Sequence, residues 1–256
     1  MNWPAAGFGV LGLLCLLLAG ALATAVMGAR SFFHDRSELR LRPIDPDRFA
    51  DENASLPATG QPRIVIFGDS RAHQIAVNGK AAADWQVVNR GVSGESSVQS
   101  AYRFKSDVID LKPEAVIIVT GINDVVAAAN LPAMERAAVT NLKANLSRFA
   151  LEVSGSGAGA IISTIIRPTT PRLIRRPFWS DRVYGITEEV NAHIRGLASR
   201  DVLVLDADAI LVGNKATLPA RFATDEIHLS KEAHDILAVH LDEMLRHRLS
   251  GAAAAR

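Results

Sequence analysis

Five short apolar runs, each cut off by Gly or Pro or set between polar stretches, constrain this fold most. Arg63–Phe67 stops at Gly68, Gln86–Asn89 stops ahead of Gly91, and Ala115–Thr120 stops at Gly121. Ala160–Ile166 stops near Pro168, and Val202–Leu205 is the fifth. These runs are continuous and rich in Val and Ile rather than alternating, the pattern of parallel strands buried on both faces. Helical stripes lie between them. One is predicted from Pro132 to Val153 through Met134, Ala137, Ala138, Leu142, Leu146, Phe149 and Val153, with Pro132 suited to a first turn. Another is predicted from Ser230 to Leu249 through Ala233, Ile236, Leu237, Leu241 and Leu245. Strands alternating with helices predict an α/β fold, a three-layer αβα domain around a doubly wound, parallel five-stranded sheet, spanning residues 62–250.

The N-terminus has a different composition. No charged residue stands between Ala5 and Met27. As a helix this segment is about 34 Å long at ~1.5 Å per residue, enough to cross a hydrocarbon core of roughly 30 Å. Residues 1–27 are therefore expected to be a transmembrane anchor or signal segment. The length, and the lack of Lys or Arg ahead of it, favour a retained anchor, although Ala21-Leu22-Ala23 and Ala23-Thr24-Ala25 offer small residues for cleavage. Arg30, Arg36, Arg40 and Arg42 follow the span and by the positive-inside rule would hold the domain in the cytoplasm, whereas a lone apolar segment ahead of an enzyme more often exports it. The expectation taken is a membrane-anchored, extracytoplasmic domain. Residues 28–61, punctuated by Pro43, Pro46 and Pro57, are expected to be an irregular linker, and residues 251–256 a frayed tail. The single cysteine, Cys15, excludes an intrachain disulfide. Lys plus Arg is 28 against 27 for Asp plus Glu, a balance that gives no reason to expect a nucleic-acid partner.

In doubly wound sheets, sites form beyond the carboxyl ends of the strands. Four polar clusters stand there: Gly68-Asp69-Ser70-Arg71, Asn89-Arg90-Gly91-Val92-Ser93-Gly94, Gly121-Ile122-Asn123-Asp124, and Asp225-Glu226-Ile227-His228 after the last strand. A serine hydroxyl needs a base to become a nucleophile, and His228 can be that base for Ser70. Asp225, three residues away, can hold the imidazole in the right tautomer. The Ser70 and Gly91 N–H groups and the Asn123 amide can serve as oxyanion donors. Asp69 is expected to support the loop rather than react.

These four blocks resemble those of the SGNH, or GDSL-type, esterases and lipases. Ile64-Val-Ile-Phe-Gly-Asp-Ser70 is similar to the first block, Asn89–Gly94 to the second, Gly121–Asp124 to the third and Asp225–His228 to the last. The four letters of the family name fall in order on Ser70, Gly91, Asn123 and His228. The resemblance implies a flavodoxin-like sheet, ester hydrolysis without a metal or other cofactor, and the roles just given. Arg71 departs from the family nickname, which has Leu there, and is expected to bear on substrate. The function expected is serine ester hydrolysis through an acyl-enzyme on Ser70, acting on small acyl esters, such as O-acetyl groups, of carbohydrate or lipid. An acyltransferase with the same machinery and a non-catalytic glycan-binding or assembly protein are the alternatives. A nucleotide-binding domain lacks a P-loop or G-x-G-x-x-G to support it.

The long segment after the fourth strand, Arg167–Tyr184, carries Arg172, Arg175, Arg176 and Trp179. It is expected over the same rim, where its arginines, with Arg71, would favour an anionic substrate or surface, or else form a plain solvated loop. His193, His234, His240 and His247 show no metal-ligand spacing and are expected to pack or face solvent.

Overall fold

The computed structural model describes residues 5–40, 47–75 and 85–254, with side chains over 11–40, 47–75 and 85–247. Its core is a parallel five-stranded sheet built from β1 (Arg63–Gly68), β2 (Gln86–Gly91), β3 (Ala115–Val119), β4 (Gly159–Ser163) and β5 (Val202–Leu205). The strand order is β2-β1-β3-β4-β5, the flavodoxin-like order. The chain reverses direction across the sheet between β1 and β3, so the loop after β1 opens at the topological switch point.

Period-two alternation divides each central strand between two cores. Val65, Phe67, Val116, Ile118 and Ile162 face one layer. There they meet α4 (Ser97–Asp107), α6 (Glu135–Gly155) and α7 (Arg182–Arg195), whose Phe104, Leu142, Leu146, Phe149, Val190 and Ile194 belong to the same cluster. Ile64, Ile66, Ile117 and Ile161 face the other, against Leu211 of α8 (Ala207–Leu211) and Leu237, Leu241 and Leu245 of α9 (Lys231–Ala254). Burying a strand on both faces explains why its sequence reads as an unbroken apolar run.

Several boundaries differ from expectation, each for a local reason. The helix expected at Pro132 begins at Glu135, because Leu131–Met134 close a turn first, with the Met134 N–H on the Leu131 carbonyl at 2.8 Å. Strand β4 ends at Ser163 rather than Ile166. Asn191 of α7 takes over there: Ile165 N–H donates to its Oδ1 at 2.7 Å and its Nδ2 donates to the Ile165 carbonyl at 2.8 Å. The frayed tail is a correction too, since α9 continues to Ala254 through the alanine run, the best helix-forming sequence available. Residues 255–256 lie outside the described residues.

The larger correction concerns the stretch expected to be irregular. Helix α1 runs from Ala5 to Arg40 without a break, and α2 covers Ala50–Ala54. Residues 41–46, with Pro43 and Pro46, lie outside the described residues. The end of α1 is held by the domain. Phe33 packs on Phe178 with ring centroids 5.4 Å apart, and Ser37 is buried. The orphan carbonyls of the last turn are satisfied from α4: Gln99 Nε2 donates to the Leu39 carbonyl at 3.1 Å, and the Ser96 hydroxyl donates to that of Arg40. Ser96 is also the N-cap of α4, in a capping box with Gln99. Phe49, at the start of α2, lies 4.6 Å beneath the Arg90 guanidinium, and Asn53 accepts from Arg90 at 2.7 and 2.9 Å.

Candidate active site

The first loop is shaped by its glycine. Gly68 has φ +142°, and a Cβ there would fall 1.9 Å from the Val119 carbonyl oxygen, so only glycine lets β1 turn this closely past β3. The turn delivers Asp69 as N-cap of the short helix α3 (Ser70–His73), its Oδ1 accepting the Arg71 N–H at 2.9 Å. Burial pushes the Asp69 carboxyl up to about 6, against the Arg71 charge and the backbone N–H groups of Arg71, Gly121 and Ile122. Ser70 is buried, and its Oγ lies 3.1 Å from His228 Nε2.

His228 is fixed by Asp225. Oδ2 of Asp225 is 2.7 Å from His228 Nδ1, and Oδ1 accepts the backbone N–H groups of Ile227 and His228, each at 2.8 Å. Partial burial raises the Asp225 carboxyl, but the His228 ring and these two N–H groups outweigh it and hold it below the ordinary carboxylate value. The arrangement fixes one tautomer: Nδ1 carries the proton toward Asp225, leaving the Nε2 lone pair for Ser70.

The glycine expected to supply an oxyanion donor is placed otherwise. The Gly91 N–H already donates to Asn89 Oδ1 at 2.8 Å, and its α-carbon lies so near α3 that a Cβ would fall 2.2 Å from His73 N. Asn89 in turn donates to the Ala72 and His73 carbonyls at 3.1 and 3.2 Å. Gly91 thus locks β2 to α3. Gly94, three residues on, presents an N–H that meets no acceptor among the described residues, as does the Ser70 N–H. Asn123, on α5 (Ile122–Asn130), donates through Nδ2 to the Glu95 carbonyl at 3.0 Å, which sets its amide beside Gly94 and leaves one amide hydrogen over.

Two buried charge systems support this side. Asp124 accepts from Ser97 N–H at 2.8 Å and Ser97 Oγ at 2.6 Å, tying α5 to α4; burial pushes its carboxyl up to about 7, against the Ser97 hydrogen bonds. Arg103 donates through Nε to Glu95 at 2.9 and 3.0 Å, through Nη1 to Asp107 at 3.1 Å and through Nη2 to the Gly68 carbonyl at 3.3 Å. One guanidinium therefore joins the residue after Gly94 to the turn before Ser70. Glu95, in the loop before α4, and Arg103, on that helix, carry no mark of burial in the sequence, and neither was expected at the site.

The arginines expected at the rim divide into three situations. Arg71 is buried, and this is a correction: its Nε and Nη2 donate to the Ile227 carbonyl at 2.9 and 2.7 Å, and Nη1 to that of Ile166 at 3.0 Å. Burial lowers it to about 10, against the pull of Asp69, Asp208 and Asp225. It holds the residue before His228 and does not face substrate. Arg172 and Arg175 reach the buried Glu226 carboxylate at 3.1 and 3.4 Å. Arg176 is exposed and lines a separate surface hollow with Thr170 and Tyr184. Trp179 lines that hollow and also the cleft beside His228. This cleft, of about 300 Å³, runs from His228 and Asp225 past Arg175 and Phe178 to the end of α1. Among the described residues, no group of three or more His, Cys, Asp or Glu side chains is placed to hold a metal ion.

The sequence pattern of the GDSL-like lipase/acylhydrolase family matches residues 60–236. An acetylxylan esterase of Geobacillus stearothermophilus is 33% identical over 160 residues, which cover 60% of this chain and 68% of that protein. Among solved structures, a GDSL-like lipase from Bacteroides thetaiotaomicron superposes with a TM-score of 0.62 at 23% identity, over 79% of this chain and 98% of that one. An acetylxylan esterase structure from Geobacillus stearothermophilus superposes with a TM-score of 0.52 at 23% identity, over 69% and 90% of the two chains. At these identities the superpositions show the fold alone.

Proposed function

The chain belongs to the GDSL-like lipase/acylhydrolase family and is an ester-bond hydrolase, and we propose that it works through an acyl-enzyme on Ser70. The observation that carries this reading is the unbroken relay from Asp225 Oδ2 through His228 to Ser70 Oγ, at 2.7 and 3.1 Å. Ser70 Oγ attacks the ester carbonyl carbon as its proton passes to His228 Nε2. The oxyanion accepts from the Ser70 and Gly94 N–H groups and the free Asn123 amide hydrogen; each such donor typically lowers the barrier by about 2.7–4 kcal/mol. Collapse breaks the carbon–oxygen bond to the alcohol, and His228 returns the proton to the leaving oxygen. Water then attacks the acyl carbon, His228 takes the water's proton and delivers it to Ser70 Oγ, and the carboxylic acid departs. The Asp225 carboxylate stabilises the imidazolium formed in both halves.

The substrate is a small acyl ester, such as an O-acetyl group, of carbohydrate or lipid. The small cleft beside His228 and the acetylxylan esterase relative support that choice. The charge-free part of α1 anchors the domain to a membrane; a stretch of 18 residues with mean hydropathy 2.2, none of it buried, supports this. Ser70→Ala is expected to abolish hydrolysis across a p-nitrophenyl ester panel and to abolish labelling by a fluorophosphonate probe, with the thermal midpoint nearly unchanged. Persistent labelling of Ser70→Ala would overturn the assignment.

A further inference from the structure

We propose that the end of α1 is a wall of the active site and that Arg36 and Arg40 on it bind an anionic group carried by the ester substrate; this rests on Ser70 and His228 being the reacting pair. The cleft beside His228 and Asp225 is closed on its far side by Phe33, Arg36, Ser37 and Arg40. Specific bonds set α1 there: its last carbonyls are taken by Ser96 and Gln99, and Phe33 packs on Phe178. Helix α1 thus bridges the segment that follows Gly94 and the loop around Phe178, and lines the cleft opposite His228.

The charges of this cleft are unevenly compensated. Arg172 and Arg175 share Glu226, and Arg71 is buried under Ile227. Arg36 and Arg40 have no carboxylate within ion-pair distance among the described residues. Asp69 and Asp124 act on Arg40 only from farther off, with oxygens engaged by the Arg71 and Ser97 N–H groups. Two guanidiniums held on a cleft wall without an acidic partner form a receptor for a carboxylate or phosphate, which each can grip with two parallel hydrogen bonds. Phosphate on a lipid head group and an acid group on a soluble ester offer the same chemistry. Arg36 follows Ala29, the last residue of the charge-free run, by about 10 Å along the helix, so an ester carried at a membrane surface lies within reach.

The test compares the full chain with Arg36→Gln/Arg40→Gln in a neutral detergent. The substrates are 4-acetoxybenzoate and 4-acetoxybenzamide, which share the acetyl group and differ in charge. The expected result is a fall of about tenfold or more in the ratio of kcat/KM for the anion over the neutral ester, mainly through KM, with partial recovery in Arg36→Lys/Arg40→Lys. An unchanged ratio while both esters are hydrolysed would overturn the inference and leave the esterase reading intact. Titrating inorganic phosphate into Ser70→Ala gives a readout that needs no turnover. Binding that weakens about tenfold when both arginines become Gln supports the site, and absence of binding in the parent sinks it. Glycerol 1-phosphate and phosphatidylglycerol vesicles at equal phosphate then compete against 4-acetoxybenzoate. Stronger inhibition by vesicles assigns a lipid surface, equal inhibition assigns a soluble anion, and inhibition by neither counts against the proposal.

Discussion

The two sides of the proposed active site are held by different means. On the Gly94 side the supports are sealed from water: Arg103, Glu95 and Asp107 are each about 1% exposed and satisfy one another. On the His228 side the support is layered. Arg71 grips the Ile227 carbonyl from within, while Arg172 and Arg175, 66% and 43% exposed, clasp Glu226 from outside. A sealed network fixes backbone donors that must not relax as charge develops on the substrate. A partly wet clasp lets the segment carrying His228 tolerate change at its outer edge. The two sides should therefore respond very differently to truncation.

The largest effect is expected from Arg103→Met, which leaves two carboxylates buried without their cation. Breaking such a network typically costs about 3–5 kcal/mol. Urea unfolding should show that loss, and whatever folded enzyme remains should have a lower kcat, because the Glu95 and Gly68 backbones both lose their tie. A stability close to that of the parent would show that the Gly94 side is not fixed by this network.

A smaller, pH-dependent effect belongs to Asp124. Its folded carboxyl titrates near 7, against 3.8 for the ordinary group. Between those values the unfolded chain has released a proton that the folded chain still holds, so this group's contribution to stability falls as pH rises from about 4 to about 7 and is level beyond. Asp124→Asn removes the titration. Its stability relative to the parent should move in its favour by about 3 kcal/mol across that window, read from urea midpoints at pH 4.5 and 7.5. A difference that does not change with pH would place the Asp124 titration elsewhere.

The smallest effect is expected from Arg172→Ala/Arg175→Ala. Water enters where the exposed guanidiniums stood and hydrates the Glu226 carboxylate they covered, so the urea midpoint should hardly move. A large loss in stability or kcat would make the clasp as essential as the buried network and erase the contrast between the two sides.

Much of this molecule is legible in the sequence because burial on two faces leaves a chemical trace. The runs around Ile64–Phe67 and Val116–Val119 can hardly be anything but central strands. Ser70 and His228 stand out because residue types suited to a nucleophile and a base each come after a strand. What escaped is what depends on direction rather than composition. Gly91 and Gly94 are alike as letters, and only the path of the Asn89 side chain decides which N–H stays open. Arg71 reads as a surface charge until the Ile227 carbonyl is found against it. The helix through residues 28–40 was hidden because its stability comes from Phe178, Ser96 and Gln99, all far along the chain.

That last kind of distance also governs when the site comes into being. Ser70 and His228 are separated by 158 positions, with strands β2 to β5 between them. At ribosomal rates of 5–20 residues per second, roughly 8 to 30 s pass between synthesis of the serine and of the histidine proposed to activate it. During that interval the growing polypeptide carries the proposed nucleophile without its proposed base, so on this reading activity emerges only after β5 has closed the sheet and the His228 segment has been delivered to its edge.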